Sequence, residues 1–343
     1  MHLAKGNIHI HSAYSDGTSS IPEIAKQAAN VGLDFIIITD HNTLKGLPEE
    51  GYHHGALVLC GSEINLHQHH YLALNIKSII HPNDDNPQQV INDVRNQNGL
   101  GFIAHPFEIG SPLALNSIAY PWTNWDVKHF TGIEVWNWSS QWRDGIRNIP
   151  KALYYAYLQP TGPIKGPCPQ AMSRFDQITR THKITAIAGS DAHNWPIRRG
   201  PIRRDIFPYE YLFRTANNYL LLPAPLSKDP ITAKVQILSA LAKGQSYIVN
   251  NLLGDPKNFL CTATSLGCEY QLGDTVLLTD QTALHIQCPH TGHLRLRIIH
   301  NGSLLNEINR CNVSIRISNP GTYRLEIWLR KKPWIFTNPF YVQ

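Results

Sequence analysis

Residues 35–42 read Phe35-Ile36-Ile37-Ile38-Thr39-Asp40-His41-Asn42. An unbroken apolar run this short is the mark of a strand buried on both faces, as in a parallel sheet. It gives way at once to an acid, an imidazole and an amide. The same signature recurs along the chain. Leu57-Val58-Leu59-Cys60 is followed by Gly61-Ser62-Glu63, and Gly101-Phe102-Ile103-Ala104 by His105-Pro106. Thr185-Ala186-Ile187-Ala188 runs into Gly189-Ser190-Asp191-Ala192-His193, and Gly132-Ile133-Glu134-Val135 is a further buried run. Near the start, Asn7-Ile8-His9-Ile10-His11 alternates, so its histidines are expected on one strand face and its isoleucines on the other.

Helical signals lie between these runs. Ser20-Ile21-Pro22-Glu23 reads as a capped helix start with an early proline and a capping-box acid. Ile24, Ala28 and Val31 give it an apolar stripe, and Gly32 ends it. Asn86-Pro87 opens a second helix carrying Val90, Ile91 and Val94, closed by Gly99. Strand–helix alternation of this kind predicts an α/β barrel or a doubly wound sheet. After Gly254-Asp255-Pro256 the helix signals vanish, and short β-rich runs follow at 283–286, 294–299, 313–317 and 323–329, separated by turns such as Asn301-Gly302 and Pro320-Gly321. The expected division is a barrel over residues 1–255 and a small Ig-like β-sandwich over 256–343.

At 343 residues, 42% hydrophobic and 16% charged, the chain can bury a sizeable core, which excludes a disordered or fibrous protein. No apolar run approaches the ~20 residues of a spanning helix, so no membrane partner is expected. No signal-peptide core precedes the first strand, and a cytoplasmic or already processed protein is expected. The formal charge is +5, but nine basic and five acidic residues from Lys257 onward leave the front near neutral. A nucleic-acid partner is therefore not favoured, since a strong basic face is the usual footprint. Six scattered cysteines without a CxxC pair give neither a disulfide framework nor a zinc-finger spacing. Histidine is the unusual count, 18 residues, fourteen of them before residue 194, and it is the commonest metal ligand.

Polar residues that follow strand after strand are the pattern of a barrel whose site lies at the C-terminal mouth. Burying so many carboxylates and imidazoles for packing alone would carry a large desolvation cost. Convergence on cations removes that objection.

Taken together these motifs resemble the PHP family (polymerase and histidinol phosphatase domain). The resemblance rests on His9-Ile10-His11, Ser15-Asp16-Gly17, Thr39-Asp40-His41-Asn42, Gly61-Ser62-Glu63, His70-Tyr71-Leu72-Ala73-Leu74, Ala104-His105-Pro106 and Gly189-Ser190-Asp191-Ala192-His193. The β-rich end, closing with Pro333-Trp334-Ile335-Phe336-Thr337-Asn338-Pro339, resembles the branch that includes carbaryl hydrolase. The resemblance implies a distorted seven-stranded β/α barrel with a trinuclear site for divalent zinc, manganese or iron. It implies that His9, His11, Glu63 and Asp191 hold one ion, that Glu63, bridging, holds a second with His70 and His105, and that Asp16, His41 and His193 hold the third. Among His67, His69 and His70, the apolar strand Tyr71–Leu74 following His70 selects it.

Four more residues are predicted to act in catalysis. Asp40, beside a ligand, is expected to orient a metal-bound imidazole. Glu134 reads equally as a mouth-facing acid and as a salt-bridged strand carboxylate. Arg198 and Arg199 follow the Asp191–His193 loop and read as a phosphate fork or as a solvated basic loop; Arg143 and Arg147 are weaker candidates of the same kind. Five of the eight tryptophans fall between 122 and 142, as a packed layer or an aromatic pocket wall. The expected activity is hydrolysis of a small phosphate ester by a metal-bridged hydroxide. The alternatives are an aryl ester or carbamate hydrolase using the same metals, and a 5′ exonuclease or nucleotide phosphatase.

Overall fold

The computed structural model describes residues 1–114, 117–199, 202–289, 293–310 and 312–343, and the side chains of 197–199 and 202–204 lie outside that description. Seven strands form the front of the molecule: β1 (His2–Ile10), β2 (Phe35–Ile38), β3 (Ala56–Ile64), β4 (Tyr71–Leu74), β5 (Leu100–Ile103), β6 (Gly132–Asn137) and β7 (Thr185–Ala192). They pair in that order, and β7 pairs back onto β1, so the sheet closes into a barrel. All neighbours are parallel except those of β4, which runs antiparallel to both β3 and β5. Only residues 65–70 join β3 to β4. That is too short for the crossover a parallel strand needs, so the chain reverses.

The buried runs behave as their composition demands. Phe35 and Ile37 point into the barrel with Ile8, Leu57, Leu59, Phe102 and Ile187. Ile36 and Ile38 point outward beneath α1 (Ile21–Asn30) with Val58, Cys60 and Ile133. The helix begins as its sequence requires: Glu23 accepts hydrogen bonds from the Ser20 amide and hydroxyl at 3.0 and 2.8 Å. The second expected helix is α2 (Pro87–Asn96), and Val90, Ile91 and Val94 are its buried face.

Strand β1 departs from simple alternation. Its register with β2 and β7 slips between Ile8 and Ile10, and His9 at the slip has φ of 66°. This is a bulge. It separates the two isoleucines, which were expected on one face: Ile8 fills the barrel, whereas Ile10 lies in the outer layer.

Two strands with no expectation attached to them carry the sheet out of the barrel. β8 (Ala216–Leu222) pairs antiparallel with the first half of β1, and β9 (Ser246–Asn250) pairs with β8. The β-rich end follows: β10 (Leu260–Ser265), β11 (Ala283–Gln287), β12 (Leu294–His300), β13 (Asn312–Arg316), β14 (Gly321–Leu329) and β15 (Lys332–Thr337). β15 pairs with β9, so one sheet runs from the barrel wall through β15 and β14 to β12. Strands β10, β11 and β13 belong to a second sheet. The two sheets share a core in which Cys261, Leu284 and Ile286 meet Leu296, Ile298, Leu325 and Ile327.

Side-chain polarity ties the two regions together. Arg324 on β14 grips Asp176 of helix Pro169–Thr179 with two bonds of 2.7 Å and reaches Glu326 at 2.8 Å. Asn338 accepts from the Ala186 amide and donates to the carbonyls of Ala186 and Ser246.

Candidate metal centre

The ends of the barrel strands place the polar residues at one mouth. His11 and Asp16 follow β1, His41 follows β2, Glu63 lies near the end of β3, His105 follows β5, Asp191 lies near the end of β7 and His193 just after it. His70 precedes β4 rather than following it. Because β4 alone is reversed, its start lies at the mouth where the other strands finish.

All nine residues named above come together in three overlapping groups: His11, Asp16, His41 and His193; His9, His11, Glu63 and Asp191; and Glu63, His70 and His105. Within each group the nitrogen and oxygen atoms lie no more than 4.8 Å apart. Glu63 is the hub. Its Oε1 is 2.7 Å from His70 Nδ1 and 3.2 Å from His105 Nε2, and its Oε2 is 3.0, 3.2 and 3.3 Å from His9, His11 and His41. Asp191 Oδ1 stands 3.4–3.5 Å from His9, His11 and His193. Asp16 Oδ1 lies 3.2 Å from His193 and 3.6 Å from His41. Asp16 is half exposed while His9, His11 and Glu63 are fully buried, so the cluster opens toward Asp16.

These residues fit divalent cations by donor chemistry. The set is imidazole nitrogen and carboxylate oxygen without thiolate. Both ring nitrogens of His11, Nε2 of His70 and Nδ1 of His105 are buried without a hydrogen-bond partner. Such buried polar atoms are costly unless something else takes up their lone pairs. The electrostatics agree. Burial alone would raise the Glu63 carboxyl, but His9, His41 and His70 hold it well below the usual carboxylate range. Asp191 is held down in the same way, against its burial, by His9, His11 and His193. Asp16 falls to about 2 because His193, with His11 and His41, outweighs its burial. Burial lowers His70 to about 4, so its ring is neutral at pH 7.

Glu134 faces the cluster. Its Oε1 is 2.8 Å from His9 Nδ1, and its Oε2 accepts from the His105 amide at 2.8 Å and from Asn137 at 3.0 Å. It thus fixes one imidazole and the backbone of another. Gly189 leaves it room, since a Cβ there would collide with the Glu134 carboxylate and crowd His9.

Asp40 does something other than expected. Its Oδ1 accepts from the Ser12 amide and the Ser15 hydroxyl, both at 2.7 Å, and its Oδ2 from the Ser12 hydroxyl at 2.6 Å. It braces the loop carrying His11 and Asp16 rather than orienting an imidazole, because serine donors nearer in the fold occupy its oxygens. Arg198 and Arg199 lie in a strand, Trp195–Arg199, that pairs with Ile202–Ile206, but their side chains fall outside the described residues. Arg143 is partly buried and paired with Glu108, whose other oxygen is 3.5 Å from His105 Nδ1. Arg147 donates to the Gly110 carbonyl at 3.3 Å. His67 is exposed, while His69 contacts Thr123 at 2.8 Å and packs against Trp122. Trp122, Trp136, Trp138 and Trp142 are buried, Trp136 and Trp138 in one core, Trp122 in another and Trp142 against Phe207.

Sequence reasoning passed over several contributors. Asn137 touches Glu134 and Asp191 while capping the next helix. Tyr120 stacks on His70 at 4.4 Å. The Tyr209 hydroxyl donates to the His11 carbonyl at 2.7 Å. Asn137 carried a legible signal, as the last residue of the run that holds Glu134; Tyr120 and Tyr209 carried none.

A family model described as "PHP domain" matches residues 7–137. An uncharacterized protein of Methanocaldococcus jannaschii is 31% identical over 160 residues, which cover 42% of this chain and 86% of that protein. A PolC-type DNA polymerase III of Listeria monocytogenes is 40% identical over 67 residues, 18% of this chain and 5% of the polymerase. Among solved structures, a two-domain protein of Bacteroides vulgatus, described as containing a predicted PHP-like metal-dependent phosphoesterase, gives a TM-score of 0.47 at 16% identity. That alignment covers 99% of this chain and 95% of the other.

Proposed function

The chain belongs to the PHP domain family, and from that premise we propose that it is a metal-dependent hydrolase of small phosphate esters. The observation that carries this reading is the convergence of nine buried or partly buried ligand side chains around Glu63, in three groups each sized for one ion. Divalent cations bound there would supply a hydroxide nucleophile at neutral pH and offset charge growing on phosphoryl oxygens.

The chain's own residues do the rest. His9, His11, Glu63 and Asp191 would hold one cation, Glu63, His70 and His105 a second, and Asp16, His41 and His193 a third. Glu134 keeps the His9 ring in one orientation, and outer partners of this kind raise ligand basicity. Asp40 holds the loop between His11 and Asp16 in place. Arg143 stands beside Glu108 near the ligand histidines, where a guanidinium suits a phosphate oxygen. Arg198 and Arg199 follow the His193 loop in sequence and are proposed for the same task. Four of the five tryptophans between 122 and 142 are buried, which weakens the motive for an aryl pocket built from them, and the phosphate ester is preferred over the aryl ester.

The test is hydrolysis of p-nitrophenyl phosphate by protein loaded with manganese, zinc or iron. Activity that depends on the metal and disappears in His11→Asn supports the reading. A fully loaded, folded protein that leaves every phosphate ester of a nucleotide and sugar-phosphate panel intact overturns it.

A further inference from the structure

The cluster opens at Asp16, its most exposed member. Two stretches of chain border that opening and are laced together. The Thr18 hydroxyl stands 3.4 and 3.3 Å from the His193 and Asn194 carbonyls and accepts from the Asn194 side-chain amide at 2.8 Å. The Tyr209 hydroxyl accepts from the Thr18 amide at 3.2 Å in the same corner. His193 Nε2 closes the span, 3.2 Å from Asp16 Oδ1. Trp195 comes two residues later, and its indole lies 5.7 Å from the His193 ring, tilted by 45°.

Trp195 differs from the other tryptophans. Trp122, Trp136, Trp138, Trp142 and Trp334 are buried, and Trp125 and Trp328 are partly covered. Trp125 has Phe107 against it at 5.5 Å and the Arg174 guanidinium over it at 4.9 Å. Trp195 is 50% exposed, and among the described residues His193 is the one ring packed against it. A single exposed apolar residue is ordinary on a protein surface. What sets this one apart is its place, against an imidazole of the cluster and on the cluster's open side.

An indole carries no charge and does not compete for phosphoryl oxygens. Its wide π face attracts flat rings, and such stacking tolerates many different rings. A phosphate ester held by its oxygens at the cluster sends its alcohol half outward, because the buried His9, His11 and Glu63 close the inner side. The way out leads past Asp16 and Trp195. We propose that Trp195 is a substrate-binding residue that stacks on a planar aromatic ring in the alcohol half of the ester. Aryl or nucleobase-bearing phosphates are then preferred to aliphatic ones, an inference that rests on the hydrolase reading above.

Phosphonates test this without turnover, since their P–C bond is not hydrolysed. The full chain, loaded with manganese, is titrated by calorimetry with methylphosphonate, phenylphosphonate and the 5′-phosphonate analogue of adenosine monophosphate. At least one ring-bearing probe is expected to bind about tenfold tighter than methylphosphonate. Which of the two is favoured tells an aryl from a nucleobase substrate. Trp195→Ala should abolish the preference, and Trp195→Phe should keep most of it, with bound manganese in both variants equal to the parent's by mass spectrometry. In the parent chain the favoured probe should also shield indole fluorescence from acrylamide, a readout that needs no variant. Equal binding of all the probes, or Trp195→Ala weakening methylphosphonate as much as the ring-bearing probes, overturns the inference and leaves the hydrolase reading standing. Binding of no probe overturns it as well. Ring-selective binding that depends on Trp195, in a chain that hydrolyses no ester, supports the stacking site while overturning the hydrolase reading.

Discussion

Glu63 spends both carboxylate oxygens on five imidazoles, and no other side chain in the cluster touches so many. Glu63→Gln removes the negative charge while keeping the shape. It is expected to empty two of the three groups, lowering bound metal measured by mass spectrometry and hydrolysis by more than about a hundredfold. Glu134 touches one imidazole, the His105 amide and the Asn137 side chain, so Glu134→Gln should cost roughly 10–100-fold in metal affinity. Equal effects of the two substitutions would contradict the division of roles. The protons argue similarly. Burial pushes His11 down, but Asp191 and Glu63 outweigh it and raise the ring to about 9. Below that pH the metal-free ring holds a proton that a cation must displace; His70, at about 4, holds none at neutrality. Cation affinity should therefore climb as pH rises from about 7 to about 9, with proton release on loading. Calorimetry in buffers of different ionisation enthalpy reads both, and a flat affinity across that window would contradict the assignment.

At the scale of elements, the buried runs were legible because a strand covered on both faces excludes polar residues. Phe35–Ile38, the strand from Ala56 and the helix capped by Ser20 fall where their sequences put them. The polar residues after each run were legible for the same reason, since they interrupt it abruptly. What stayed hidden depends on partners distant in sequence. The bulge at His9 arises from pairing β1 with β2 and β7 together, and alternation alone cannot express it. Strand β8 reads Ala216-Asn217-Asn218-Tyr219, and its buried asparagines are tolerated only because Asn7, Ala188 and Asn251 hydrogen-bond them. Asp40 shows the limit at the site: adjacency to His41 suggested a ring partner, but the loop it closes comes from 25 and more residues earlier. Gly189 gives an element-level test. Gly189→Ala keeps the strand but drives a methyl group into Glu134 and His9. Metal affinity should fall at least tenfold while thermal unfolding shifts by only about 1–2 °C for each kcal/mol of strain in a chain this size. Unchanged metal affinity would show that Glu134 is not needed where it sits.

Across the whole molecule, barrel and β-rich end share one sheet and a buried ion pair, and we propose residues 1–255 and 256–343 as its two parts. Arg324 is almost fully buried, and Asp176 alone gives it two bonds. Arg324→Met leaves the Asp176 carboxylate without its cation and should cost about 3–5 kcal/mol of stability. Arg324→Met with Asp176→Asn should recover a good part of that in a denaturant titration; a double variant no more stable than the single one would show that the pair does not hold the two parts together. Chain folding in this account serves the mouth, where the barrel strands bring nine histidines and acids able to hold metal to one place. Metal content per chain, measured after loading with manganese, zinc or iron and gel filtration, tests that claim most directly. The expected result is three ions per folded chain, falling sharply in Glu63→Gln. A folded chain that retains no stoichiometric metal under any of the three loadings would contradict it.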